Sequence, residues 1–294
     1  MPQIERILCP IDFSEFSVNA FDCAQSLAWH YKATLFLLHV IDTLGLCYPY
    51  YAFPEPYIDI CGELRADAQR QLQQFAKKRS RCGIEPRCAV QDGAITEAIL
   101  SFAKAESTNL IVMGTHGLRG IDHLTLGSVT EKVLRKAPCP VLAVRKPPHG
   151  FATQPGRPEL IHLERILCCT DSPDDPGAAW NHAVSLAEQY SAHLTLLHVM
   201  ENITSSSDIE DETAKVLKRL EKQISPSVRE TGMTKPAVRI GKPYQQIVEL
   251  ALESKTDLIV IGVRGRNALD LAVFGSTTYR VIQLGPCPVL VVHF

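Results

Sequence analysis

What this sequence lacks narrows its chemistry. No apolar run is long enough to span a bilayer; the stretch from Ala33 to Ile41 is short and His39 interrupts it. The formal net charge is only −2, with lysines and arginines scattered, so the concentrated basic face of a nucleic-acid binder is missing. Ten cysteines are present, yet no two have the Cys-x-x-Cys spacing. Cys82 and Cys88 bracket a turn without nearby histidines, while Cys9, Cys139, Cys168 and Cys287 sit in or beside apolar strand patterns. There a free thiol behaves as a small hydrophobe, and neither a zinc site nor a disulfide framework is expected. Two nucleotide fingerprints are also missing. No Gly-x-Gly-x-x-Gly occurs, and Gly241-Lys242 runs into Pro243 where a Walker loop needs Ser or Thr. The first strand pattern, Ile4 to Cys9, begins almost at once without a signal-peptide pattern, which predicts a cytoplasmic protein.

What is present is a duplication. At 294 residues, 46% hydrophobic and 21% charged, the chain is long enough and apolar enough for two soluble domains. Gly114, Gly117, Gly127 and Ser128 form a Gly-x-x-Gly, nine-residue gap, Gly-Ser pattern, and Gly262, Gly265, Gly275 and Ser276 repeat it 148 positions later. Pro138 to Leu142 matches Pro286 to Leu290 at that same offset. Ile4 to Cys9 matches Leu163 to Cys168, and Leu37 to Val40 matches Leu196 to Val199, both at an offset of 159. The second half has therefore lost 11 residues between its second strand and its glycine pattern. Repeats of this length are domains rather than solenoid units. The expected layout is a first domain over 1–146, a linker rich in proline and glycine over 147–162, and a second domain over 163–294.

Strand and helix patterns alternate in each half. Strands are expected near 4–11, 33–41, 84–91, 109–114 and 139–145. Ala20, Ala24, Leu27, Ala28 and Tyr31 form one helical stripe, repeated by Ala179, Ala183, Leu186, Ala187 and Tyr190. Leu64, Ala68, Leu72, Phe75 and Ala76 form a second stripe, with Gly83 read as the helix C-cap. Ile209, Thr213, Val216, Leu217, Leu220 and Ile224 are its counterpart. The fold class is α/β: two tandem doubly wound domains, each with a mainly parallel five-stranded sheet flanked by helices. Ligands in such sheets bind at the carboxyl ends of the strands, where strand order reverses.

That rule gathers Asp12 and Asp171 after the first strands, Val40 and Val199 at the second, and Gly114 and Gly262 at the fourth. A strand, a glycine loop and a helix start make a phosphate cradle, because the backbone can approach an anion and free N–H groups point at it. Each residue also has a plainer role. Asp12 can shape a turn or cap. Ser128 with Glu131 spells a capping box. His39 and His198 read as satisfied core histidines, and since His116 and His123 have no histidine counterparts, no catalytic histidine is assigned.

The joint spacing resembles the universal stress protein family, with two domains covering nearly the whole chain. The resemblance implies ATP binding, with a divalent metal such as Mg2+ or Mn2+ on the phosphate oxygens. Carried over, it implies a first pocket of Pro10, Asp12, Val40, Met113, Gly114, Gly117, Gly127, Ser128 and Val129. The second would use Asp171, Val199, Ile261, Gly262, Gly265, Gly275, Ser276 and Thr277. In both, the aspartate approaches the ribose, the valine backbone faces adenine, and main-chain N–H groups with the serine hold phosphates. It implies a stress-response regulator switched by nucleotide occupancy, without dedicated catalysis. The alternatives are slow ATP hydrolysis or phosphoryl transfer, or a scaffold whose first domain takes an apolar ligand. The last strands, Pro140 to Val144 and Pro288 to Val292, are expected to pair as an intramolecular pseudo-dimer, with a homodimer beyond it.

Two departures distinguish the halves. Cys169-Thr170 replaces Pro10-Ile11 at the base edge of the second pocket. The connection from Asp42 to Cys61 holds Tyr48, Tyr50, Tyr51, Phe53 and Tyr57, against a short Ser-rich counterpart around Glu201 to Asp208. It reads as packing over a domain or as a lid.

Overall fold

Short apolar runs alternating with amphipathic stretches give ten strands and eight helices among the described residues of this computed structural model. Those residues are 4–43, 55–81, 83–117, 126–145, 163–201, 209–226, 228, 232–263 and 275–293. They sort into two compact units, one chiefly of residues up to Val141 and one chiefly from His162 onward. The N-terminal half runs β1 (Arg6–Pro10), α1 (Glu15–Tyr31), β2 (Thr34–Ile41), α2 (Glu55–Arg79), β3 (Arg87–Asp92), α3 (Ile95–Ala105), β4 (Leu110–Gly114), α4 (Ser128–Lys136) and β5 (Val141–Val144). The C-terminal half runs β6 (Arg165–Thr170), α5 (Gly177–Tyr190), β7 (His193–Met200), α6 (Ile209–Gln223), β8 (Thr234–Ile240), α7 (Pro243–Glu253), β9 (Leu258–Val263), α8 (Ser276–Leu284) and β10 (Val289–His293).

Within the N-terminal half the strand order is β3-β2-β1-β4-β5, and within the C-terminal half β8-β7-β6-β9-β10. The pairings β1–β2, β1–β4, β2–β3, β6–β7, β6–β9, β7–β8 and β9–β10 are all parallel. Each chain half therefore walks outward from its first strand, then returns to that strand's other side. Right-handed crossovers place the first two helices on one face and the last two on the other. Arg79 on α2 donates to Asp22 on α1 at 3.3 Å, and Arg280 on α8 sits 4.8 Å from the Tyr244 ring of α7.

Helices on both faces require strands buried on both sides, which explains their unbroken apolar runs. Ile7, Leu8, Cys9, Leu37, Leu38, Ile111 and Val112 are all fully buried. Of the expected helix stripes, Ala20, Ala24, Leu27, Ala28, Ala179, Ala183, Leu186 and Ala187 are buried, as are Ala68, Leu72, Ala76, Val216 and Leu220. Leu64 departs from this pattern, remaining 38% exposed. Burial also pushes the thiols of Cys139, Cys168 and Cys287 up to about 12, and that of Cys9 higher still. All four are neutral at physiological pH, Cys9, Cys139 and Cys168 in the core and Cys287 half-buried. Among the described residues no helix is long and apolar enough to cross a membrane, and no group of three metal-ligating side chains assembles.

The duplication extends to polar details. Asn109 Oδ1, at the entry to β4, accepts from the backbone N–H groups of Glu5 and Arg6, each at 2.8 Å. Asp257 Oδ2, at the entry to β9, accepts from those of Glu164 and Arg165, each at 2.9 Å. One side chain thus sets the start of the two central strands in each half. Four helices close through a residue in the left-handed region: Lys32, Ser107, Ser191 and Lys255, with φ between 48° and 53°. The following N–H reaches back to a buried alanine carbonyl, Ala28, Ala103, Ala187 or Ala251, each at 2.9 Å.

Two expectations about α2 need correction. The helix ends at Arg79, so Gly83 does not cap it; Gly83 serves the turn beyond, at φ 70°. The connection after Asp42 is also shorter than its prolines suggested, because α2 already begins at Glu55. Pro56 is compatible with a helix's first turn, where its missing N–H has no partner to lose. Tyr57 is therefore helical, while Tyr48, Tyr50, Tyr51 and Phe53 lie outside the described residues.

Replacing Asp257 by Ala should orphan two backbone donors and lower stability by about 1–3 kcal/mol in urea denaturation. Asp257→Asn should lose much less, because Asn109 already performs the same task in the other half.

Candidate functional site

In the N-terminal half the reversal of strand order opens a crevice between the carboxyl ends of β1 and β4. Pro10 closes β1 in register with Leu38 of β2, and the next N–H, from Ile11, donates to Leu38 O at 2.8 Å. His39 Nδ1 donates to Ile11 O at 2.8 Å, so the ring clips the end of β2 to the end of β1. His198 makes the matching bond to Thr170 O at 3.0 Å. Both histidines are satisfied, as expected, and both are half-buried rather than deep in a core.

Asp12 follows. Its Oδ1 accepts from the Ser14 N–H at 3.0 Å, which is the turn-shaping role. Its Oδ2 faces the glycine loop, since a Cβ built on Gly117 would lie 2.6 Å from it. One carboxylate thus shapes the turn with one oxygen and faces the glycine loop with the other. Phe13 adopts φ 64°, a costly conformation for a bulky residue. Its ring packs 5.0 Å from His39 and 5.7 Å from Phe75, contacts that hold the turn.

Gly114 has a role that its motif did not announce. A Cβ there would meet the backbone carbon and oxygen of Phe16 at 2.7 and 2.8 Å. This glycine lets the first turn of α1 pass directly over the end of β4. Gly127 is equally confined, its virtual Cβ lying 3.2 Å from Thr115 O, to which its N–H donates at 2.8 Å. It is also the N-cap of α4 and carries no side-chain cap. The expected capping box is not formed. Ser128 is already the first helical residue, and Glu131 accepts from Arg135 at 2.8 Å instead. The extended backbone of Gly127 (φ −60°, ψ 137°) takes the cap position, leaving Ser128 exposed at the helix start. Thr130 Oγ1 donates to Gly114 O at 2.8 Å, tying α4 to the strand end. Met113 and Pro10 are buried beside this junction, with Val40 and Val129 half-buried.

The C-terminal crevice encloses a cavity of about 970 Å³. Six residues expected from sequence line it: Asp171, Val199, Ile261, Gly262, Gly275 and Thr277. Ser276, the first residue of α8, is exposed and outside the lining, and Gly265 lies outside the described residues. The turn after β6 is braced differently from its counterpart. Thr170 Oγ1 donates to Ser172 O at 2.9 Å and accepts from the Ser172 N–H at 3.1 Å. Thr170 here takes the bracing that Asp12 supplies in the other half.

Sequence reasoning missed much of the cavity wall. Thr278 and His198 line it from elements already recognised; Cys169 and Thr170, which the sequence put at the base edge of this pocket, line it too, and burial keeps the Cys169 thiol protonated. Glu212, Val216 and Arg219 line it from α6, while Pro173 and Pro176 line it from the turn after β6. The four- and three-residue spacing along α6 was readable; its direction toward the strand ends was not. Asp174 accepts from Arg219 Nε at 2.7 Å and also from Nη2, a contact between residues 45 positions apart.

Two glycine substitutions separate fold from site. Gly114→Ala drives a methyl into backbone and should cost about 1–3 kcal/mol in thermal denaturation. Gly117→Ala meets only the end of one side chain, so melting should stay nearly unchanged while Asp12 is displaced.

Comparison with known proteins agrees with this architecture. The profile of the Universal stress protein family matches residues 3–145 and again 162–293. A universal stress protein of Mycolicibacterium smegmatis is 24% identical, with 98% of this chain and 96% of that protein covered. Universal stress protein MJ0531 of Methanocaldococcus jannaschii is 32% identical over 49% of this chain and 83% of its own length. The crystal structure of a universal stress protein from Archaeoglobus fulgidus superposes with a TM-score of 0.70 at 21% identity, covering 99% of each chain. Matched in both halves by one profile, and end to end by a solved fold, the chain belongs to the universal stress protein family.

Proposed function

We propose that this chain is an ATP-binding stress-response regulator whose nucleotide occupancy alters conformation or partner binding. The observation that carries this reading is the C-terminal cavity at the β6/β9 switch point. It has Asp171 at one side and the N-terminus of α8 at the other.

The donor set fits a nucleoside phosphate. Asp171 is an acceptor suited to the two ribose hydroxyls, and the β7 backbone at Val199 offers an edge for a base. At the other end Gly275 caps α8 without a side-chain bond, and among the described residues no atom outside its chain neighbours lies within 4 Å of a Cβ built there. A phosphate can therefore approach the N–H groups of Ser276 and Thr277, which have no partner within the helix and where the dipole favours negative charge. Among the described residues no protein cluster would hold a metal unaided. Mg2+ or Mn2+ would be held chiefly by phosphate oxygens, supplying charge neutralisation there.

In the N-terminal half the same roles fall to Asp12, Val40, Gly127, Ser128 and Val129, with Gly117 against Asp12. The layout of two domains joined by a linker, the cytoplasmic setting, the pseudo-dimer of last strands and a homodimer beyond it belong to the same reading. Sedimentation velocity at several concentrations checks the last; a strictly monomeric chain removes it.

Calorimetry with ATP and magnesium should show saturable binding. Asp171→Ala should weaken the C-terminal site about tenfold or more, the loss expected for hydrogen bonds to a charged group. Purified chain that yields no nucleotide on extraction and no heat with ATP would remove the reading.

A further inference from the structure

This inference rests on the nucleotide reading above and concerns how the C-terminal cavity opens. Its wall includes two stretches far apart in sequence: α6, through Glu212, Val216 and Arg219, and the turn after β6, through Pro173 and Pro176. Asp174 stands between those prolines, and Arg219 grips it with two parallel donors, Nε and Nη2. The two-pronged geometry fixes direction and register. Both side chains are exposed, 45% for Arg219 and 63% for Asp174, so water and salt keep the pair weak. Proline on either side stiffens the turn that carries Asp174. An openable bridge thus joins two parts of one cavity wall.

The N-terminal half provides an internal comparison. Gly93 and Gly241, 148 positions apart, both follow a third strand at positive φ. The buried residues Ala68, Leu72 and Ala76 match Val216, Leu220 and Ile224 at the same offset. That register puts Gln71 at the position of Arg219, and the 159 offset puts Glu15 at that of Asp174. Gln71 and Glu15 cannot form an ion pair.

We propose that the Arg219–Asp174 pair is a latch across the mouth of the C-terminal cavity, making this the half that releases nucleotide slowly. The test is release of a fluorescent ATP analogue from the full chain, followed by stopped-flow displacement with ATP. Arg219→Gln and Asp174→Asn should each speed release about two- to fivefold, the range of an exposed ion pair. The charge-exchanged chain, Asp174→Arg with Arg219→Asp, should recover the slow rate. The difference should vanish in about 1 M salt, where the screening length falls to about 3 Å. A second measurement uses the unmodified chain: two release phases are expected, and only the slower should respond to Arg219→Gln. Equal release rates in wild type and both single variants would overturn the latch while leaving nucleotide binding intact. Absence of analogue binding by the wild-type chain would remove the nucleotide reading, and the latch with it.

Discussion

The reversal of strand order beside β1, and again beside β6, is the constraint on which the rest of the structure depends. Two adjacent parallel strands send their chains to opposite faces, so their carboxyl ends cannot be covered by the same helix. A crevice follows from topology alone. Its width is then set by how closely the first helix crosses the fourth strand, which in the N-terminal half is governed by Gly114 beneath the Phe16 backbone. At the opposite edge, Asn109 and Asp257 hold the two central strands in register. The site is therefore a consequence of packing before it is a set of ligand contacts.

This view redistributes the meaning of the glycine pattern. Gly114 is required by a helix, Gly127 by the Thr115 carbonyl and the helix cap, and Gly117 by the Asp12 carboxylate. All three permit close approach, yet each approach is to a different part of the protein. On the proposed nucleotide reading the phosphate-facing role falls to the helix starts, which the pattern locates but does not itself supply.

Much of the fold was legible because two-sided burial leaves continuous apolar runs, and because the repeat showed each run twice. The carboxyl edge was legible too, since Asp12, Asp171, Gly114 and Gly262 fall at strand ends whatever the tertiary detail. Other features had no local signal. Lys32, Ser107, Ser191 and Lys255 close helices in a conformation usually given to glycine, held there by bonds to Ala28, Ala103, Ala187 and Ala251. The start of α2 hid among prolines, and the capping box at Ser128 failed because Gly127 took the cap. Arg219 and Asp174 meet only through tertiary folding. The same register shows where the halves parted: Leu64, Ala68 and Gln71 stand where Glu212, Val216 and Arg219 line the C-terminal cavity. Common architecture, different walls.

The central claim is that the C-terminal crevice holds an adenine nucleotide, with its base toward Val199 and its phosphates at the start of α8. A crystal structure of the chain grown with ATP and magnesium tests it most directly. The account predicts density running from the Val199 backbone, past Asp171, to the N–H groups of Ser276 and Thr277. Nucleotide bound elsewhere, or a crevice holding a ligand without phosphate at α8, would contradict it.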